Sequence, residues 1–407
     1  MDHATTDTLQ KRNNPFSEQT AGEYFVGREE EFRQFQANLD GLEGGIANHA
    51  FVAGLHGAGK TSYLDRLVTT ARDRGFVGVL TNVPEKGKAV EQVKGILWAI
   101  ATALEEWGKG VPEKLKTGAD WEKGDSSTLF RQVKSQSLDP DRVRKDLSTL
   151  WSVAKDADAS GIVVCVDEAQ WLQPEALSSI KTAFEAQTHV MAIISLRLPT
   201  VKASLKKDGR ARLEEIAADA GGDIGASRLY TTEIEMGPFA DDNEAKQCID
   251  RRLVNNAISF ENNLSYEIIQ LADRVPREII RYSQKVYARA HGTGLPRAPA
   301  SLLDEVVREH HSAEVAQAGM LIEELSMSVR SLLKALLDLD GEATDRQLAQ
   351  RIQAKVDSVT LTMITNGINS QLDAVCNKFS GLARNENVFR VTNRVHFYAL
   401  RIALEEQ

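Results

Sequence analysis

Residues 54–61 read Gly54-Leu55-His56-Gly57-Ala58-Gly59-Lys60-Thr61, a full G-x-x-x-x-G-K-[ST] pattern. Few eight-residue stretches restrict a fold as tightly, because this one works only between a strand and a helix. The apolar run Ala50-Phe51-Val52-Ala53 precedes it, and Ser62-Tyr63-Leu64-Asp65-Arg66-Leu67-Val68, with helical spacing, follows. Glycines at 54, 57 and 59 let the backbone wrap a polyphosphate. The main chain from Gly54 through Leu55, His56, Ala58 and Ser62 then turns its N–H groups toward the phosphate oxygens. A helix opening near Lys60 adds its positive end. Lys60 is placed against the β- and γ-phosphates, and the Thr61 hydroxyl on Mg²⁺. Average residue frequencies give such a pattern by accident in roughly one per cent of chains this long. The stretch implies a site for ATP and Mg²⁺.

A second motif turns binding toward hydrolysis. Gly161-Ile162-Val163-Val164-Cys165-Val166 is wholly apolar and largely β-branched, which suits a buried parallel strand. It runs into Asp167-Glu168-Ala169-Gln170-Trp171. An acidic pair at the carboxyl end of a central strand lies where α/β sheets place ligands. Asp167 is expected to hold Mg²⁺, directly or through water. Glu168 is expected to polarise the water that attacks the γ-phosphate.

The remaining chain alternates strands with helices up to about residue 240. Strands are predicted at 49–54, 76–83, 161–166, 189–195 and 229–236, and helices after the phosphate loop, over 89–107 and over 175–187. That alternation means a doubly wound parallel sheet. Segment 109–158, with weak alternation from Lys114 to Phe130 and a helix near 141–154, reads as an insertion. The domain plan is a flexible N-terminal segment (1–20), a core (21–240), a helical lid (241–292), a linker with helix (293–319) and a last domain (320–407). The lid breaks at Val275-Pro276, and a Gly/Pro-rich stretch from His291 to Pro299 ends it.

Bulk properties exclude several classes. The net charge of −9 leaves no general basic field for nucleic acid or anionic membrane. No apolar run nears 18 residues and Met1-Asp2-His3-Ala4 opens no signal peptide, so a cytoplasmic protein without a membrane partner is expected. Cys165, Cys248 and Cys376 are widely spaced in apolar contexts and read as core thiols.

With these pieces together, residues 14–290 resemble the AAA+ ATPases, and 320–400 more loosely a winged helix behind them. The likeness is to the branch shared by origin-recognition-type initiators, archaeal-type ATPases and STAND signalling NTPases. Phe25-Val26-Gly27-Arg28-Glu29 resembles that family's lead-in segment, which implies that Val26, Gly27 and Arg28 pack against adenine. Ser195, at a strand end, stands in the sensor-1 position, where a small polar residue bonds the attacking water or γ-phosphate. Arg277, in Ala272-Asp273-Arg274-Val275-Pro276-Arg277-Glu278, matches the sensor-2 arginine, although the turn lacks the usual glycine. Ser227-Arg228-Leu229 resembles the arginine-finger segment, which implies a homo-oligomer when ATP is bound. Arg197 and Arg274 compete for these arginine roles. Physically, a guanidinium fork on the γ-phosphate meets charge that grows in the transition state.

The C-terminal block predicts helices over 327–337, 345–352 (capped by Thr344 or Asp345) and 358–378, then a hairpin turning at Asn385-Glu386-Asn387. Three helices closed by a hairpin is the winged-helix plan. From residue 321 onward ten Lys and Arg face eleven Asp and Glu. The third helix offers Thr360, Thr362, Thr365, Asn366 and Asn369 but only Lys378 as a cation. Phosphate neutralisation supplies most non-specific DNA affinity, so Arg384, Arg390 and Arg394 around the wing are the better contacts. The partner therefore stays open between DNA and a protein effector.

Overall fold

Short β-branched runs bounded by glycine or a polar turn become strands, and the longer stretches with apolar residues every third or fourth position become helices. The computed structural model describes residues 14–16, 22–109, 138–198, 229–353, 361–385 and 388–405. The chain divides into two compact units, one of residues 19–239 and one of residues 240–407 joined by residues 1–18.

In the first unit, β1 (His49–Gly54), β2 (Val77–Asn82), β3 (Ile162–Asp167), β4 (Val190–Arg197) and β5 (Tyr230–Met236) form one sheet. Its order is β2-β3-β4-β1-β5, with every neighbouring pair parallel. Every residue of β1 and β3 is buried, as strands covered on both faces must be. Phe51 and Ala53 join one core with Ile96, Ile100, Leu147 and Ile180. Ala50 and Val52 join the other with Leu39, Leu64 and Leu67. Helices α1 (Glu29–Glu43) and α2 (Lys60–Asp73) thus cover one face. The other is covered by α3 (Ala89–Leu104), α4 (Pro140–Asp156) and α5 (Pro174–Glu185). The expected doubly wound α/β fold is present.

One reading changes. Helix α4 is part of the layer and not of an insertion. Val143, Leu147, Leu150 and Val153 recur on one face and share a core with β3, while Asp139 caps the helix by accepting from the Asp141 N–H at 3.1 Å. The alternating stretch from Lys114 to Phe130 lies outside the described residues, as do residues 1–13. Parallel strands align their carboxyl ends on one edge. Because the chain passes from β1 to β2 beyond β3, then returns to β4, the ends of β1, β3 and β4 meet where the winding reverses.

The second unit is mostly helical. Helices α6 (Asp242–Leu253), α7 (Asn262–Leu271) and α8 (Pro276–Gly292) occupy the segment predicted to be helical, with Pro276 opening α8. The Gly/Pro stretch is not a bare separator. Its strand β7 (Arg297–Ala298) pairs in parallel with β6 (Ser259–Phe260) inside that helical segment. Residues 14–16 also belong here. Phe16 is fully buried, stacked on Phe260 at 5.7 Å and edge-on to Tyr287 at 6.1 Å. The Asn14 amide donates to the Gln284 carbonyl at 2.9 Å and its carbonyl oxygen accepts from the Phe16 N–H.

Helices α9 (Ser301–His310) and α10 (Ser312–Glu324) lead to α11 (Met327–Asp338), α12 (Asp345–Gln353), α13 (Leu361–Lys378) and α14 (Arg394–Glu405). Strands β8 (Glu342–Thr344), β9 (Leu382–Asn385) and β10 (Val388–Val391) form an antiparallel sheet in the order β8-β10-β9. This is the element order of a winged helix, with a third strand, β8, not predicted from the sequence. Thr344 is the cap of α12. Its hydroxyl accepts from the Gln347 N–H at 3.2 Å while the Gln347 side chain accepts from the Thr344 N–H at 2.8 Å, a capping box.

Candidate functional site

The loop between β1 and α2 has the backbone its glycines permit. Gly57 and Gly59 sit at φ 84° and 90°, values L residues rarely adopt. Gly54 is required by crowding, since a Cβ there would lie 2.4 Å from the Met236 carbonyl oxygen. Lys60 opens α2 and is 7% exposed. Its ammonium donates to the Gly54 and Leu55 carbonyls at 3.0 and 2.9 Å. Burial holds the Lys60 pKa below its ordinary value, opposed by the nearby carboxylates of Asp167 and Glu168 and reinforced by Arg197. Ala58 is buried and His56 exposed.

The end of β3 meets this loop. Asp167, 2% exposed, accepts from the Thr61 hydroxyl at 2.5 Å through Oδ2. Its Oδ1 accepts from the Ser195 hydroxyl at the end of β4 and from the Glu168 N–H at 2.9 Å. The same Glu168 N–H also reaches Ser195 Oγ at 3.2 Å. The structure therefore brings Lys60, Thr61, Asp167, Glu168 and Ser195 together from three strand ends. Glu168 stands at φ 56°, the left-handed region that a non-glycine residue occupies only when its surroundings hold it.

Two glutamines frame the acidic turn, and no role was read for either in the sequence. Gln170, two residues beyond Glu168, donates its side-chain N–H to Glu168 Oε2 and accepts from the Arg197 N–H at 3.0 Å. Gln92, near the start of α3 and 3% exposed, donates to the Trp171 carbonyl and accepts from the Gln173 N–H, both at 2.7 Å. The only sequence signal for Gln92 was a polar residue on a buried helical face.

The other expected residues are dispersed. Val26 is buried, Gly27 and Arg28 both have positive φ, and the Arg28 guanidinium donates to the Gly237 carbonyl at 2.5 Å. The lead-in segment is thereby fastened to the exit of β5. Arg277 is exposed on the first turn of α8, in the second unit. In that unit Arg274 donates to the Ala240 carbonyl at 3.1 Å. Arg228 and Ser227 lie outside the described residues.

The wing arginines are not the open cations that sequence reasoning took them for. Arg384 pairs with Asp373, Arg390 with Glu342 at 3.1 Å, and Arg394 with Asp340 at 2.6 Å. The acidic partners sit 11, 48 and 54 positions away in the sequence, so spacing alone conceals them. Lys378 likewise pairs with Glu324 at 3.0 Å.

Comparison with known proteins adds context to this geometry. Residues 24–194 match the AAA ATPase domain family. An uncharacterized HTH-type transcriptional regulator of Methanocaldococcus jannaschii is 22% identical over 378 residues, covering 88% of this chain and 86% of that protein. Among solved structures, the Aeropyrum pernix ORC2 protein aligns over 97% of this chain and 98% of its own, at 13% identity and a TM-score of 0.47. Drosophila ORC bound to DNA aligns over 97% of this chain and 90% of its own, at 12% identity and a TM-score of 0.48. The Thermotoga maritima RuvB Holliday junction branch migration motor aligns over 90% and 93%, at 16% identity and a TM-score of 0.42.

Proposed function

We propose, from the premise that residues 24–194 are an AAA ATPase domain, that this chain binds and hydrolyses ATP with Mg²⁺ and uses the cycle to govern an assembly on nucleic acid. The observation that carries the chemistry is the meeting of Lys60, Thr61, Asp167, Glu168 and Ser195 at adjacent strand ends.

The residues fit the ligand. Three glycines leave the loop amides open to phosphate oxygens, and Lys60 would exchange its carbonyl partners for the β- and γ-phosphates. The Thr61 hydroxyl and Asp167 carboxylate are hard oxygen donors side by side, which suits Mg²⁺. Among the described residues no three His, Cys, Asp or Glu side chains form a metal cluster of their own. Bound there, Mg²⁺ would offset charge on the phosphate oxygens. Glu168 would accept a proton from water as its oxygen bonds the γ-phosphorus and the bond to the β-phosphate oxygen breaks, releasing ADP and phosphate. Ser195 holds Asp167 and the Glu168 N–H in register for that step. Arg277 would report nucleotide to the second unit. Arg228, supplied by a neighbouring copy, would make hydrolysis depend on homo-oligomer formation. Val26, Gly27 and Arg28 would line the adenine.

The nucleic-acid part rests on the winged-helix element order and on the description of the archaeal relative as an HTH-type regulator. A specific observation favours a second reading, a STAND-like switch that works through a protein effector. Arg384, Arg390 and Arg394 are each paired with a carboxylate, so these three, the cations expected to meet phosphates, are already matched by acids. Sedimentation with ATP or an unhydrolysable analogue, with and without duplex DNA, decides between them. DNA-dependent co-sedimentation supports the first reading. Assembly that ignores DNA at low salt supports the second, and no nucleotide response removes both.

A further inference from the structure

Gln170 lies on a single 3-10 turn, Ala169–Trp171, directly after the acidic pair. Its amide oxygen accepts from the Arg197 main-chain N–H and its amide nitrogen donates to Glu168 Oε2. A backbone N–H can only donate, so Arg197 fixes which way the amide points and Glu168 always receives the NH₂ side. One carboxylate oxygen of Glu168, Oε2, is thereby engaged, and Oε1 takes no part in that bond. The main chain of Glu168 is tied separately, through its N–H to Asp167 and Ser195. The turn itself is held from behind by Gln92, through the Trp171 carbonyl and the Gln173 N–H. The turn is thus held by more than Gln170, whereas among the described residues Gln170 is the side chain hydrogen-bonded to the Glu168 carboxylate.

We infer that Gln170 is a positioning residue for hydrolysis. It orients the Glu168 carboxylate toward the attacking water and makes that orientation depend on the end of β4, where Arg197 supplies the N–H. The inference rests on the reading of Glu168 as the base. It assigns Gln170 no contact with nucleotide, and it makes the last residue of β4 part of the catalytic frame through its main chain.

Two substitutions separate orientation from turn structure. Gln170→Glu keeps the length and the acceptor for Arg197 but cannot donate to Glu168; Gln170→Ala removes both bonds. Both should lower kcat by about 100-fold, the cost of a misplaced group, while the ATP dissociation constant, read with a fluorescent analogue, stays within about twofold. The double variant Glu168→Gln/Gln170→Ala should turn over no more slowly than Glu168→Gln alone, since one acts through the other. Parental kcat in Gln170→Glu, faster turnover in either variant, or additive losses in the double variant would overturn the inference. Glu168→Gln run in parallel keeps the two ideas apart. If it hydrolyses at the parental rate, the base assignment fails. If it is slow while Gln170→Glu is parental, only the positioning role fails.

Discussion

In the unit of residues 19–239, the polar side chains of interest sit where buried strands end. Asp167 is 2% exposed and Ser195 fully buried, and both are held by hydrogen bonds to near neighbours. In the unit built on residues 240–407, charge sits between helices instead. Arg401 of α14 pairs with Glu267 of α7 and Asp304 of α9, lies 4.4 Å from the Tyr398 ring centroid, and stays about a quarter exposed. Arg394 bridges Asp340 and Gln270. The first arrangement gathers Lys60, Thr61, Asp167, Glu168 and Ser195 at one edge. The second pairs several cations with acids on other elements, as Arg401 does with α7 and α9, and so ties helices of that unit together.

The sharpest test of this contrast lies at the strand ends. Lys60→Ala should abolish ATP binding, whereas Glu168→Gln should keep ATP bound and lose about 10²–10⁴-fold in turnover. Equilibrium binding and phosphate release measured together check both, and a Glu168→Gln protein with parental turnover would break the assignment. On the side of the ion pairs, Arg401→Ala leaves Glu267 and Asp304 facing each other half-buried. It should destabilise the second unit by about 2–3 kcal/mol, between the values for exposed and buried pairs. Denaturant unfolding should show that loss with nucleotide affinity intact; an unchanged midpoint would mean the helices need no such tie.

A pH test probes the first unit away from its reactive edge. His49 is buried in β1, its Nδ1 accepts from the Ala192 N–H at 3.0 Å, and burial pushes its pKa down to about 4. The folded state thus prefers the neutral ring, while the unfolded chain takes up a proton near pH 6.5. Stability is whole above that value and falls as the pH drops toward 4. Between pH 7 and pH 5 the loss should be about 2 kcal/mol. His49→Asn, which keeps an acceptor that does not titrate, should flatten the dependence; an equally steep fall would place the titrating group elsewhere. The smallest effect concerns the wing. Replacing Arg384, Arg390 and Arg394 by Ala should change the slope of log affinity against log salt for DNA by less than about one, since each is already paired. A change of about two to three would show that the pairs open to release counterions at 0.9 per phosphate.

The sequence made the reactive edge legible because its parts are contiguous. Gly54 to Thr61 and Asp167-Glu168 are local words whose chemistry dictates a strand on one side and a turn or helix on the other. Ser195 came from the resemblance to the AAA+ ATPases, which have a small polar residue at the end of this strand. Gln170 was visible but mute, because its meaning depends on Arg197 arriving from another strand. Gln92 depends on the turn packing against α3. Helix α4 was placed within two residues of its bounds but assigned to an insertion, because nothing local says that its apolar face packs on β3. The second unit was least legible. Its ion pairs join residues as far apart as 267 and 401, and no spacing rule connects them.

The placement of Phe16 has a consequence for the order of events during synthesis. Its ring partners, Phe260 and Tyr287, are translated 244 and 271 residues later. At about 5–20 residues per second, the segment Asn14-Pro15-Phe16 waits roughly ten to fifty seconds for a surface on which to settle. The unit of residues 19–239 lies wholly between these partners and can close first, while Phe16 still lacks its ring partners. The unit of residues 240–407 then closes around Phe16, so segments translated before and after residues 19–239 reach their native packing together.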